Sequence, residues 1–99
     1  MNLAREVRIL YGETGAKLSE GEYHYGKLNG ILRSWSVDGV LTLEAQMSEG
    51  EYHGNYKSWW STGQLKEEGI YHQGKRCGIY RWHKESGEIW QENDCGSAL

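Results

Sequence analysis

The chain has 99 residues, with five Trp and seven Tyr but no Phe or Pro, and a formal charge of −3. Its basic and acidic residues are interspersed, which argues against a nucleic-acid partner because such proteins carry a basic stripe. The length allows one small domain with a thin core. No apolar run reaches the length of a signal peptide or a membrane-spanning helix, so we expect a cytoplasmic protein without stable membrane insertion.

Glycines recur at a constant interval of 24 residues along the chain. A fixed period of this length is typical of an array built from one small unit. The sequence therefore predicts a single domain, residues 1–99, in which residues 7–92 form four tandem repeats and residues 93–99 form a loose tail. The three glycine series are Gly15, Gly39, Gly63 and Gly87; Gly26, Gly50 and Gly74; and Gly30, Gly54 and Gly78.

Each repeat has the pattern of a β-hairpin. A small polar residue precedes the turn glycine, as in Asp38-Gly39, and the flanking segments are rich in Val, Ile, Thr, Tyr and Trp. No window shows helical periodicity. The paired glycines between hairpins, as in 26–30, predict a longer turn. The predicted strands span residues 5–12, 17–24, 31–37, 40–47, 55–61, 64–71, 79–85 and 88–92. We expect an all-β fold, a single-layer twisted antiparallel meander of about four tandem hairpins.

A two-residue loop at Asp38-Gly39 places Arg33 opposite Glu44. The same register in the next two units pairs Lys57 with Glu68 and Arg81 with Glu92, and a loop with a bulge would shift it by one residue. Opposed charges of this kind contribute roughly 0.2–1 kcal/mol each and help to fix the register. Because this glutamate recurs in every unit, we interpret it as structural rather than catalytic.

Alternation along the strands separates two faces of the sheet. One carries the base–glutamate pairs, and the other collects aromatic residues from the third and fourth units. Trp and Tyr dominate the energetics of protein interfaces, although they are also what stabilises a single-layer sheet. The candidate partner-binding residues are Tyr56, Trp60, Glu67, Tyr71, Tyr80 and Trp82, with Lys84 as a further charged residue at the rim.

Residues 21–30 and 69–78 resemble the G-x-Y-x-x-G-K-x-x-G signature of MORN repeats, and the 24-residue spacing is similar to that of the bacterial MORN-variant repeat. The resemblance covers most of the chain and implies stacked hairpins with a binding or scaffolding role, typical of small antitoxin or immunity proteins. The middle copy departs from the signature at Ala45, Met47 and Glu51.

The sequence contains no specific motif for catalysis, metal binding or phosphate binding. His24 and His72 occupy the same repeat position but would lie about 19 Å apart in a meander, too far to share a metal. The serines have no G-x-S-x-G context and the glycine-rich links have no Walker lysine. Cys77 and Cys95 are interpreted as reduced thiols, with a disulfide between the tail and the last repeat as the alternative. We predict no catalytic residues, no metal and no cofactor.

The expected function is therefore that of a non-enzymatic module that binds a protein. The resemblance suggests an antitoxin or immunity protein that occludes a cognate toxin, or a phage-encoded inhibitor of a host protein. The alternatives are a structural scaffold that self-associates through its edge strands, for example as a homodimer, and a peripheral lipid-binding protein. The charge of −3 disfavours the lipid-binding role because anionic membranes attract basic patches.

Overall fold

The computed structural model describes residues 4–96 as one open sheet in which each strand pairs antiparallel with the next along the chain. The sheet measures 47 × 39 × 11 Å, so it is a single layer. The strands are β1 (Arg5–Tyr11), β2 (Lys17–His24), β3 (Lys27–Trp35), β4 (Leu41–Ser48), β5 (Glu51–Trp59), β6 (Leu65–His72), β7 (Lys75–His83) and β8 (Ile89–Asp94). The predicted all-β meander is confirmed. Between residues 4 and 96 there is no helix of the length and apolarity needed to cross a membrane.

The loops within the hairpins are longer than the predicted two residues. Between β3 and β4, the Ser36 amide donates to the Val40 carbonyl (2.8 Å) and the Gly39 amide donates to the Ser36 carbonyl (3.0 Å). A bulge after Ser34 compensates for the longer loop. Gly39 has a φ of 86°, which favours glycine. The loop prediction was wrong, but the register inside the hairpin is the predicted one because the bulge absorbs the difference.

The links between hairpins are shorter than predicted. They are two-residue turns, and the turn between β2 and β3 consists of Tyr25 (φ 49°) and Gly26 (φ 82°). Two consecutive positive φ values are typical of a type I′ turn. β3, β5 and β7 therefore begin four residues before their predicted starts. The second glycine, Gly30, lies inside β3, in an irregular stretch where Glu22 alone faces residues 29–31.

The predicted register of the charged residues is confirmed. Arg33 faces Glu44, Lys57 faces Glu68, and Arg81 faces Glu92. The glutamates also face the bases across the links between hairpins, so one row of alternating charges crosses most of the sheet. We call the side of the sheet that carries this row the ladder face. Its members are Glu20, Arg33, Glu44, Lys57, Glu68, Arg81 and Glu92.

The best-buried apolar residues lie toward one side of the sheet. Among the described residues, Ala45, Met47 and Tyr80 are the buried hydrophobic ones, and the register places Ala45 opposite both Leu32 and Tyr56. The core is thus a thin set of side chains that cover one another on β3 to β7. A single layer has no second element to bury its side chains, so they must pack laterally against their neighbours.

Part of the predicted loose tail is paired with β7. β8 extends to Asp94, the Cys95 amide donates to the Gly78 carbonyl (2.7 Å), and the Gly78 amide donates to the Gly96 carbonyl (2.7 Å). The prediction of a loose tail is therefore wrong for residues 93–96. Residues 97–99, like residues 1–3, lie outside the described residues. Cys77 and Cys95 are both free thiols.

Candidate functional site

Five aromatic rings form a continuous cluster on β5, β6 and β7. Neighbouring ring centroids are 4.7–6.3 Å apart, within the range of favourable aromatic pairs. We call these five residues the aromatic cluster and their side of the sheet the aromatic face. The members are Tyr52, Tyr56, Tyr71, Tyr80 and Trp82.

Tyr80 is the anchor of the aromatic cluster. Its exposed fraction is 0%, whereas the other four rings are half-buried. A Cβ atom placed on Gly69 of β6 would overlap the Tyr80 ring, so the ring packs directly against the glycine. The Arg76 guanidinium lies 4.6 Å from the centroid of the Tyr80 ring and 5.1 Å from that of Trp82, and thereby covers one edge of the cluster.

Glu67 lies beside the rings on β6, directly opposite Trp82 on β7 and Ser58 on β5. One carboxylate oxygen, Oε1, accepts a hydrogen bond from the Tyr80 hydroxyl (3.3 Å), and Oε2 accepts one from the Ser58 hydroxyl (3.1 Å). Ser58 is itself buried, with 7% exposure. The carboxylate is therefore held in place from both neighbouring strands.

The hydroxyls of two tyrosines connect Glu67 to Arg76. Arg76 Nε donates to the Tyr71 hydroxyl (3.3 Å), and the Tyr71 and Tyr80 hydroxyls are 3.5 Å apart. If Tyr71 donates to Tyr80, every group in this series of hydrogen bonds from Arg76 to Glu67 has a consistent donor or acceptor role. The cluster thus has a positive end at Arg76 and a negative end at Glu67.

The environment of the cluster raises the pKa of two of its phenols, Tyr56 and Tyr80. Burial raises the pKa of Tyr56 to about 12, with a further contribution from the Glu67 carboxylate. Burial also raises the pKa of Tyr80, together with its hydrogen bond to Tyr71 and the charge of Glu67. Both phenols therefore remain protonated well above physiological pH, because burial disfavours the ionised form and ionisation would also place a second negative charge beside the Glu67 carboxylate.

Of the six residues predicted from the sequence, the structure brings five together: Tyr56, Glu67, Tyr71, Tyr80 and Trp82. Trp60 lies apart, and within residues 4–96 its indole has no ring contact with the cluster. Its Nε1 donates to the His83 carbonyl (3.2 Å), and the Lys66 ammonium lies 4.7 Å from its ring centroid. Alternation placed Trp60 on the aromatic face, but the residue follows the end of β5, where alternation no longer applies.

Tyr52, Arg76 and Ser58 also belong to the site, although they were not predicted from the sequence. Tyr52 and Arg76 fell in segments predicted to be turns, which are in fact the first residues of β5 and β7. A signal was available, because Tyr52 and Arg76 occupy the same repeat position, 24 residues apart, and Leu28 precedes them there. Lys84 lies beyond the end of β7, where its amide donates to the Glu88 carbonyl (2.8 Å).

The ladder face and the two outer strands differ from the aromatic face. Arg33 Nε contacts Glu44 Oε2 at 2.8 Å, and Arg81 bridges Glu92 (2.7 Å) and Glu68 (3.4 Å). Lys57 forms no ion pair within 4.0 Å among the described residues, although it faces Glu68.

Exposed apolar side chains lie mainly on β1 and β8: Val7, Ile9, Leu10, Tyr11, Ile89 and Trp90. In the part of the chain that the structure covers, no group of three or more His, Cys, Asp or Glu residues is arranged to hold a metal ion.

Comparisons of the chain with models of known protein families, with curated proteins and with solved structures find no match.

Proposed function

We propose that the protein is a non-enzymatic binding module that covers the surface of another protein with its aromatic face. The observation that carries this proposal is the concentration of four half-buried aromatic rings around the buried Tyr80. Aromatic rings supply large contact area at low entropic cost and dominate binding hot spots. The rings are held by neighbouring strands before any partner arrives, so little further ordering opposes association.

The resemblance to MORN-variant repeats suggests which kind of partner to test first. In this proposal the protein acts in the cytoplasm as an antitoxin or immunity protein, and its sheet occludes the active or substrate-binding surface of a cognate toxin. Inhibition would be steric, since a flat sheet can cover a cleft and block access to it without taking part in the reaction there. The same mechanism would serve a phage-encoded inhibitor of a host protein.

The product of the neighbouring gene is the first partner to examine. We expect this product to be toxic when expressed alone, to lose its toxicity on co-expression, and to be retained by the purified protein. Trp82→Ala should weaken that binding by about 2 kcal/mol, or roughly 30-fold in Kd, if the indole is a hot spot.

Trp90→Ala is the matched control, because Trp90 is an indole on the edge strand β8, is 54% exposed and lies outside the aromatic cluster. It should leave the affinity unchanged. A neighbouring product that is neither toxic nor retained would remove the antitoxin role. If Trp82→Ala lowers only the unfolding temperature and not the affinity, the aromatic face is not the binding surface.

Self-association is the second candidate, favoured by the exposed apolar residues of the edge strands β1 and β8. Pairing of β8 with β1 of another copy would continue the meander, but it would set Glu92 against Ile9, where every internal link sets a glutamate against a base. A strictly monomeric elution at high concentration in size-exclusion chromatography would reject this candidate.

A further inference from the structure

Among residues 4–96, Glu67 is a half-buried carboxylate with no cationic nitrogen within 4.0 Å. Within residues 4–96, the half-buried glutamates other than Glu67 each have a cationic nitrogen within 4.0 Å. The remaining acidic residues without such a partner are exposed: Glu13, Asp38, Glu51, Glu85, Glu88 and Asp94. The corresponding positions of the other repeats hold Ser19, Leu43 and Gln91, so this charge is not part of what the fold requires.

The surroundings of Glu67 would stabilise an incoming cation. Each carboxylate oxygen already accepts one hydrogen bond, from Tyr80 or Ser58, and a carboxylate has about four acceptor positions in all. Two acceptor positions are thus left for a bidentate donor. Trp82 stands directly opposite Glu67, and rings of this cluster already contact one cationic group, the Arg76 guanidinium over Tyr80 and Trp82.

Arg76 itself does not neutralise Glu67. Its guanidinium has no nitrogen within 4.0 Å of that carboxylate, and two tyrosine hydroxyls separate the two groups. Arg76 therefore occupies the positive end of the aromatic cluster and leaves the negative end open. The carboxylate of Glu67 is half-buried and has hydrogen bonds but no cationic partner, so a bound cation would offset part of its lost hydration.

We propose that the partner places one basic side chain, an arginine, against Glu67 and beside the Trp82 ring. This inference rests on the proposed function and adds the chemistry of the contact. Arginine fits better than lysine because its planar guanidinium can donate two parallel hydrogen bonds to a carboxylate while stacking on an aromatic ring. The partner's surface is accordingly basic at the point that meets β6, which also agrees with the net charge of −3.

The test uses the intact protein and two short peptides, acetyl-Gly-Arg-Gly-amide and the same peptide with citrulline in place of arginine. Citrulline has nearly the shape of arginine but no charge. In a titration followed by NMR, the arginine peptide should shift the Trp82 indole N–H and the Glu67 amide, with a Kd in the millimolar range because one side chain makes few contacts. The citrulline peptide should bind at least about tenfold more weakly.

Glu67→Gln should weaken binding of the arginine peptide by a similar factor, about tenfold in Kd. Glu68→Gln is the matched control, because the next residue on the same strand lies on the ladder face and pairs with Arg81. It should leave the titration unchanged. Should Glu67→Gln fail to fold, the comparison of the two peptides on the unaltered protein still decides the question.

Equal binding of the two peptides, or no shift at Trp82 and Glu67, would overturn the inference. Either result would leave the proposed function standing, because a partner could use the rings through apolar contacts alone. The proposed function would fail separately, if the neighbouring gene product bound with no loss of affinity in Trp82→Ala.

Discussion

The contact between Gly69 and Tyr80 gives the sharpest test of how this sheet is held together. The backbone of Gly69 does not have a positive φ, so alanine fits the conformation there. An added Cβ would nevertheless collide with three atoms of the Tyr80 ring. Those atoms belong to a rigid side chain with 0% exposure, so the ring must lift off the sheet.

We expect Gly69→Ala to destabilise the protein by about 1–2 kcal/mol. Overpacking of this kind costs roughly 1–3 kcal/mol, and the lower entropy of the unfolded alanine chain offsets about 0.4–1 kcal/mol of that. For a domain of this size, the loss corresponds to a fall in the unfolding temperature of about 5–15 °C. The measurement is thermal and urea unfolding followed by tryptophan fluorescence.

Gly12→Ala is the control for the general effect of alanine. A Cβ on Gly12 would meet Leu18 Cδ1 at 3.1 Å, and this is the end of a flexible side chain that can move. It should change the stability by less than about 0.5 kcal/mol. In addition, Gly69→Ala should become nearly neutral in a Tyr80→Leu background, because the ring that it strikes is gone. Equal effects of Gly69→Ala and Gly12→Ala would refute the close packing of Tyr80 against Gly69.

Two further predictions concern the tyrosines and the turns. The pKa of Tyr56 is raised from 10.0 to about 12, so folding favours its neutral form. The contribution of Tyr56 to the free energy of unfolding should be full below pH 10 and be lost between about pH 10 and 12. In an absorbance titration, this phenol should ionise at a higher pH than an ordinary tyrosine. In Glu67→Gln it should ionise at a lower pH than in the unaltered protein. Gln73→Asn should stabilise the protein by about 0.5 kcal/mol, because the residue has a φ of 48° and asparagine tolerates that region best. A lower unfolding temperature for Gln73→Asn would contradict the type I′ turn.

The sequence predicted the fold class, the repeat and the interior register because each depends on recurrence. The base–glutamate pairs, such as Arg33 and Glu44, identified the correct register even though the loop assumed for the calculation was too short. The links were mispredicted because the first position of a type I′ turn usually holds Asn, Asp or Gly, whereas here it holds Tyr25, Glu49 and Gln73. These residues do not match the usual turn pattern, so the second glycine of each link, such as Gly30, was interpreted as the end of a long connection.

The site was harder to predict because it depends on how rings lie rather than on which face they occupy. Alternation placed Trp60 with the cluster. The residue follows the end of β5, however, and its indole N–H donates to the His83 carbonyl instead. The burial of Tyr80 depends on the missing Cβ of Gly69, a contact between strands that no pattern within one strand reveals.

Differences between repeats separate the residues that build the sheet from those available for binding. A side chain that recurs in every unit, such as the ladder glutamate, is explained by the hairpin itself. A side chain that appears in one unit needs another explanation, and Glu67 and Arg76 are of this kind: their repeat positions elsewhere hold uncharged residues. Both are on the aromatic face, and they hold opposite ends of the same hydrogen-bonded chain. Because the fold in the other units forms without these charges, the sheet itself does not require them, and the basic partner proposed above would account for them.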